Sequence, residues 1–232
     1  MTPPLVTCVM LTRWPERMAM VSDALASFHL QTYPNRELLV VNEGEPLSSR
    51  DRRVRVINTG PRSSLGGQRD FGLVAASGEY VATWDDDDAS CSRRLELQVE
   101  RAERGADYVI CHRLWLADGD LEPVCEASAV AYVTALVRRS AALGAGGHGP
   151  GDHGEDAALF RRMQDAGARV SVMDEPLYIY RRHGANVSSA STGEGLDSWA
   201  RFCVGSSDVS PAVAEVRRIR SSRTPGMIAG RR

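Results

Sequence analysis

The 232-residue sequence predicts a single-domain α/β fold, with a mostly parallel central sheet flanked by helices. Three observations predict it. Short apolar runs rich in β-branched residues alternate with longer segments whose apolar positions recur every three or four residues. Turn-forming Gly, Pro and Asn separate them. Polar and acidic clusters directly follow the apolar runs, and sheets of this kind bind ligands outside the carboxyl ends of their strands.

The elements follow in order. Residues 5–12 (LVTCVMLT) read as a strand buried on both faces. Met18, Val21, Leu25 and Phe28 keep helical spacing, and Pro34-Asn35 breaks that helix. ELLVVNEGE (37–45) is a second strand ending in a polar turn, and VRVIN (54–58) a short third. GGQRDFGLVAAS (66–77) reads as a helix closed by Gly78. EYVATW (79–84) is the fourth strand, and Asp85, Asp86, Asp87 and Asp88 stand at its end.

Beyond them, 93–105 is a helix with an Arg/Glu face capped by Gly105, and 106–116 a strand. A turn leads to a strand that runs into a short helix over 131–147. Residues 144–154 are a glycine-rich loop, flexible enough for a lid, that carries His148, Asp152 and His153. Glu155 and Asp156 occupy the first turn of the next helix, where acids complement the helix dipole. Residues 169–184 are expected as a final strand pair. From about Ser188 the composition turns to Ser, Gly and Arg, so the domain is placed at 1–188. Residues 189–232 are expected as a tail or docking segment, partly helical or flexible.

Composition narrows the function. A net charge of -2 gives no basic field for nucleic acid. All 28 basic residues are Arg, which excludes a Schiff-base or P-loop lysine. The five cysteines form no CxxC pair, so reduced thiols in a cytoplasmic protein are expected. No apolar run is long enough for a membrane span, and the start lacks a signal-peptide pattern.

The acidic run poses the chemical question. Four adjacent carboxylates repel one another unless a cation sits among them. Hard divalent cations take carboxylate oxygens and bridge protein to substrate phosphates. A helix cap accounts for Asp88 or Ser90 alone, but not for four acids.

GEYVATWDDDD resembles the strand and Asp-x-Asp motif of family-2-type nucleotide-sugar glycosyltransferases with the GT-A fold. VTCVMLTR, QTYPNRELLVV, GGQRDFGLVAASGEY, GEDAALFRRMQDAG and EPLYIYRRHGANVS are similar to other family segments, in the family's order. The resemblance covers roughly residues 5–188 and implies a metal-dependent, inverting transfer of a single sugar from a nucleoside-diphosphate sugar to an acceptor hydroxyl. It implies Asp87 and His183 as ligands to Mn²⁺ or Mg²⁺, and Asp85 and Asp86 on the donor side. Thr12 and Arg13 would line base and ribose, and Arg69 would reach the nucleotide. Asn42 and Glu43 replace the family's paired aspartates, leaving the base open among UDP, dTDP and GDP types. Asp156 matches the catalytic base, with Glu155 as acceptor-binding or supporting acid. A QxxRW-like segment, which marks processive synthases, is not found. The alternatives are a sugar-nucleotidyltransferase and a non-catalytic nucleotide-sugar-binding module; the acceptor and oligomeric state stay open.

Overall fold

A computed structural model of the chain describes residues 2–13, 15–60, 64–183, 203, 208–223 and 228–230. Strand β1 (Val6–Thr12) is flanked on one side by β2 (Arg36–Asn42) and on the other by β5 (Tyr80–Thr83), both parallel to it. β4 (Val54–Asn58) extends the parallel half beyond β2. The sheet then turns mixed. β8 (Pro123–Arg138) runs antiparallel to both β5 and β7 (Tyr108–Ala117). β9 (Val170–Met173) and β10 (Tyr178–Arg181) each pair parallel with β7, at opposite ends of it, so they do not form the expected pair with one another. Three short strands escaped the sequence reading. β6 (Ala89–Ser90) crosses antiparallel onto β10, and β3 (Leu47–Ser49) pairs with β11 (Ile228–Gly230).

Helices cover both faces. α1 (Met18–His29) and α3 (Arg94–Glu103) pack on Val6, Cys8 and Met10 of β1 through Val21, Phe28, Leu95 and Val99. α2 (Leu65–Ala75), α4 (Arg139–Gly144) and α5 (Glu155–Asp165) cover the opposite face, where Leu73, Ala142 and Leu159 meet Val9, Leu39 and Val137. Both faces of the central strands are therefore apolar, which is why their sequences read as unbroken apolar runs.

Gly78 does not close α2. The helix ends at Ala75, Ala76 is extended, and the Gly78 N–H donates to Thr7 Oγ1 at 2.8 Å. A Cβ on Gly78 would lie 2.7 Å from the Leu5 carbonyl oxygen, so glycine is needed there for close approach to β1. Gly105, with φ +107°, does follow α3 as expected.

The C-terminal segment folds back on this body. α6 (Ser210–Ser222) buries Ala212, Val216 and Ile219 against Ala26, Ala89 and Ile179. Arg223 beyond it reaches the buried Asp23 of α1 at 2.6 Å. Two cysteines depart from the expected reduced state: Cys125 and Cys203, 78 residues apart, form a disulfide. An isolated bridge between Ala127 and Cys203 brings the two chain segments together, a long-range pairing that sequence spacing does not register. Residues 184–202, which contain the expected domain boundary, lie outside the described residues. Among the described residues no helix is long and apolar enough to cross a membrane.

Candidate active site

Parallel register sets Thr12 beside Asn42 at the carboxyl ends of β1 and β2, and Trp84 N–H bonds to Val9 O where β5 ends. The four aspartates therefore leave the sheet beside the end of β1. Buried Arg94 fixes that exit: its guanidinium donates to the Thr83 carbonyl at 3.0 Å and to Ser90 Oγ at 2.9 Å, between the Trp84 and Tyr178 rings.

The four acids take different partners. Asp88 turns inward and accepts from Tyr178 Oη at 2.8 Å and from the Arg181 N–H at 2.7 Å. It caps no helix, since α3 starts without a side-chain cap; it ties the acidic run to β10. Asp86 and Asp87 share the Arg17 guanidinium, at 2.8 and 2.9 Å. Asp87 Oδ2 also lies 3.1 Å from His183 Nε2, just past β10. Asp85 faces the other way, with Oδ1 3.3 Å from Arg69.

Electrostatics separate them further. Burial pushes the Asp85 carboxyl up to about 6 against the pull of Arg69, with Asp87 adding to the rise. Burial, then repulsion from neighbouring aspartates, raises Asp86 and lifts Asp88 well above the usual carboxylate range. Burial works on Asp87 too, but hydrogen bonding to His183 and the charge of Arg17 outweigh it and hold Asp87 below that range. Asp87 is thus the member of the run whose ionised form its surroundings favour most.

The second half of the site comes from the start of α5. Arg69 of α2, nearly buried, holds Glu155 Oε1 at 3.1 Å and Asp156 Oδ1 at 3.2 Å through Nε while its Nη2 holds Asp85. One guanidinium bridges the acidic run to the helix acids. Burial disfavours that charge, but Asp156, Asp85 and Glu155 overcome the cost and raise the Arg69 pKa. Arg69 does not pair with its neighbour Asp70, whose carboxylate instead binds the glycine-rich loop.

At the ends of β1 and β2 the two replaced family positions diverge. The Asn42 amide donates to the Glu45 carbonyl at 2.7 Å and to Asn58 Oδ1 at 2.8 Å, and its Oδ1 accepts from Gly44 N–H. Asn42 braces the turn. The Glu43 amide bonds to Thr12 O at 3.0 Å, and its buried carboxylate lies 3.7 Å from Arg13 Nε.

Sequence reasoning missed Arg17 and Tyr178, and placed His148 only in the glycine-rich loop, not beside Asp70 and Asp156. Arg17 carried a signal, because a cation at a helix N-terminus opposes the dipole unless anions stand near. Tyr178 carried none, since a strand tyrosine reads as core.

The donor set suits a hard divalent cation. Asp87 offers an ionised carboxylate and His183 an imidazole. Thr12 Oγ1 and Asp86 Oδ2 are buried, and the Thr12 hydroxyl lies close enough to Asp86 to oppose the rise of its pKa. Among the described residues no three such side chains converge on one point, and the cation found between Asp86 and Asp87 is Arg17.

Residues 16–123 match the family model for glycosyl transferase family 2. The cholesterol galactosyltransferase of Borreliella burgdorferi is 28% identical over 107 residues, 42% of this chain and 28% of that protein. The chain thus covers under a third of that relative. The mannosyltransferase PcManGT from Pyrobaculum calidifontis, solved with GDP-Man and Mn²⁺, superposes with TM-score 0.62 at 17% identity, over 81% of this chain and 59% of that one. S. aureus TarS with UDP-GlcNAc superposes with TM-score 0.60 at 18% identity, over 80% and 61%. The matched segment, just under half of the chain, is similar to glycosyl transferase family 2 and carries the acidic run, and the fold is that of these GT-A neighbours.

Proposed function

We propose that this chain is a metal-dependent, inverting glycosyltransferase that moves a single sugar from a nucleoside-diphosphate sugar to an acceptor hydroxyl. The observation that carries the reading is the Arg69 bridge. It brings Asp85 of the acidic run and Asp156 of α5 to one guanidinium, at 3.3 and 3.2 Å, so that a donor-binding half and a base-bearing half face each other.

In this reading Asp87 and His183 would hold Mn²⁺ or Mg²⁺ next to the donor's diphosphate. The bound metal would stabilise charge on the diphosphate leaving group. Arg17 keeps Asp86 and Asp87 neutralised until the cation arrives, then gives way. Asp85 and Asp86 face the ribose and diphosphate, with the Thr12 hydroxyl beside Asp86 placed to bond the donor. Arg13 and Glu43 flank the base, where Glu43 accepts an N3–H of a uracil-type ring, and Asn42 shapes their loop. A neighbour that binds UDP-GlcNAc and one that binds GDP-Man support a nucleotide-sugar donor without choosing its base.

Asp156 takes the acceptor's hydroxyl proton as that oxygen attacks C1 of the sugar from the face opposite the diphosphate. Arg69, itself tied to Glu155, holds Asp156 in place beside mostly apolar walls. The test is release of nucleoside diphosphate from UDP-GlcNAc and GDP-Man, with Mn²⁺ and with chelator. Asp156→Asn is expected to keep donor binding and slow release about 100-fold or more, the usual scale for a lost general base. Unchanged release by Asp156→Asn would remove the assignment of the base.

A further inference from the structure

The glycine-rich loop before α5 builds a contact that the transfer reading leaves unused. The Asp70 carboxylate accepts three hydrogen bonds from it: from the His148 amide at 2.6 Å, the Gly149 amide at 2.9 Å and His148 Nδ1 at 2.9 Å. The loop's glycines are required for this wrap. Gly147 has φ +68° and Gly149 φ +79°, and a Cβ on Gly147 would lie 2.4 Å from Asp70 Oδ1. His148 is 8% exposed. A carboxylate only accepts, so Nδ1 is the donor in this contact, and in the neutral ring Nε2 is the accepting nitrogen. That Nε2 lies 3.7 Å from Asp156 Oδ1.

The array Asp70–His148–Asp156 therefore runs from α2 through the loop to α5. It borders a cavity lined by Arg69, Tyr108, His148 and Asp156 and walled otherwise mostly by apolar side chains, where polar contacts act in a low dielectric. The remaining charged groups are placed. Arg162 of α5 donates to the carbonyls of Gly147 and His148, Arg69 holds Asp156 with Glu155 beside it, and Asp152 accepts from the Leu65 amide. The Tyr108 hydroxyl of β7 is buried without a hydrogen-bond partner.

We propose that His148, oriented by Asp70, is a positioning residue for Asp156 and receives the proton that Asp156 removes from the acceptor. The inference rests on the transfer reading above. The acceptor O–H bond breaks as its oxygen bonds to C1, and the C1–oxygen bond to the diphosphate breaks with its electron pair leaving on the diphosphate. The proton passes to Asp156, then from the Asp156 carboxyl to His148 Nε2. Asp70 stabilises the imidazolium, as a buried carboxylate does for an imidazole base. Loss of that proton to solvent restores the carboxylate for the next turnover. Catalytic contacts are commonly long before substrate binds, and proton transfer to His148 requires the 3.7 Å separation to close once Asp156 carries the proton.

The test is an NMR titration of ring-labelled histidines in the metal-free protein, with His148→Gln assigning the resonance. Asp156→Asn and Asp70→Asn are each expected to shift the His148 midpoint to lower pH, because each removes a negative neighbour. An unmoved midpoint in Asp156→Asn would overturn the proposal. The second readout is nucleoside diphosphate release from UDP-GlcNAc or GDP-Man with Mn²⁺. His148→Gln should lower kcat about tenfold or more, leave the donor KM unchanged, and remove one ionisation from the pH profile of kcat. Unchanged kcat, or a KM that rises as kcat falls, contradicts the role. Failure of the wider reading shows itself separately, as Asp156→Asn that still releases nucleoside diphosphate.

Discussion

Arg17 stands where a divalent cation is expected. Its guanidinium spans Asp86 and Asp87 at 2.8 and 2.9 Å, and its side chain is 29% exposed. An ion pair this accessible contributes on the order of 1 kcal/mol, small enough for a metal to displace. Arg17→Ala removes the competitor, so Mn²⁺ affinity without nucleotide should rise roughly threefold to tenfold, as titration calorimetry would show. Equal or weaker binding in the variant would mean that Arg17 does not occupy the metal's place. At this scale the sequence was partly legible. The acidic run, His183 and Asp156 stood out by residue type and order, and the structure brings His183 to Asp87 and Asp156 to Arg69. Which aspartate is most readily ionised did not stand out, because it depends on burial and on Arg17, Arg69 and Tyr178 arriving from distant elements.

The elements that carry these residues are held by close backbone contacts rather than by side-chain bulk alone. α2 lies against β1 at Gly72, where a Cβ would fall 2.4 Å from Val9 Cγ1. Gly72→Ala sets two effects against each other. Helix propensity favours alanine by about 1 kcal/mol. Overpacking against a β-branched strand residue costs about 1–3 kcal/mol. The clash should win, so urea denaturation is expected to show the variant less stable by about 1–2 kcal/mol. A variant at least as stable as the parent would mean that α2 can step away from β1. Strand and helix positions were mostly readable from periodicity, because both faces of the central sheet are apolar. The end of α2 was misread, since Gly78 resembles a cap by its place in the sequence and acts through its approach to β1. The glycine-rich loop read as a lid, but its glycines wrap it onto Asp70.

Across the whole molecule, the candidate site arises because the ends of β1, β2 and β5, the exit of β10 and the start of α5 meet at one edge of the sheet. Alternating elements made that edge predictable for the parallel half. The mixed half was harder to read: β9 and β10 look like a hairpin in sequence yet pair separately with β7, and the Cys125–Cys203 link crosses 78 residues. Long-range partners leave no local pattern. The central claim is that the acidic run binds a nucleotide donor through a divalent cation. The most direct measurement is the thermal shift given by UDP and GDP, with Mn²⁺ and with chelator, in the parent chain and in Asp87→Asn. The account predicts stabilisation by at least one nucleotide that needs Mn²⁺ and disappears in Asp87→Asn. Stabilisation that survives chelator and the Asp87→Asn change, or no stabilisation by either nucleotide under any condition, would contradict it.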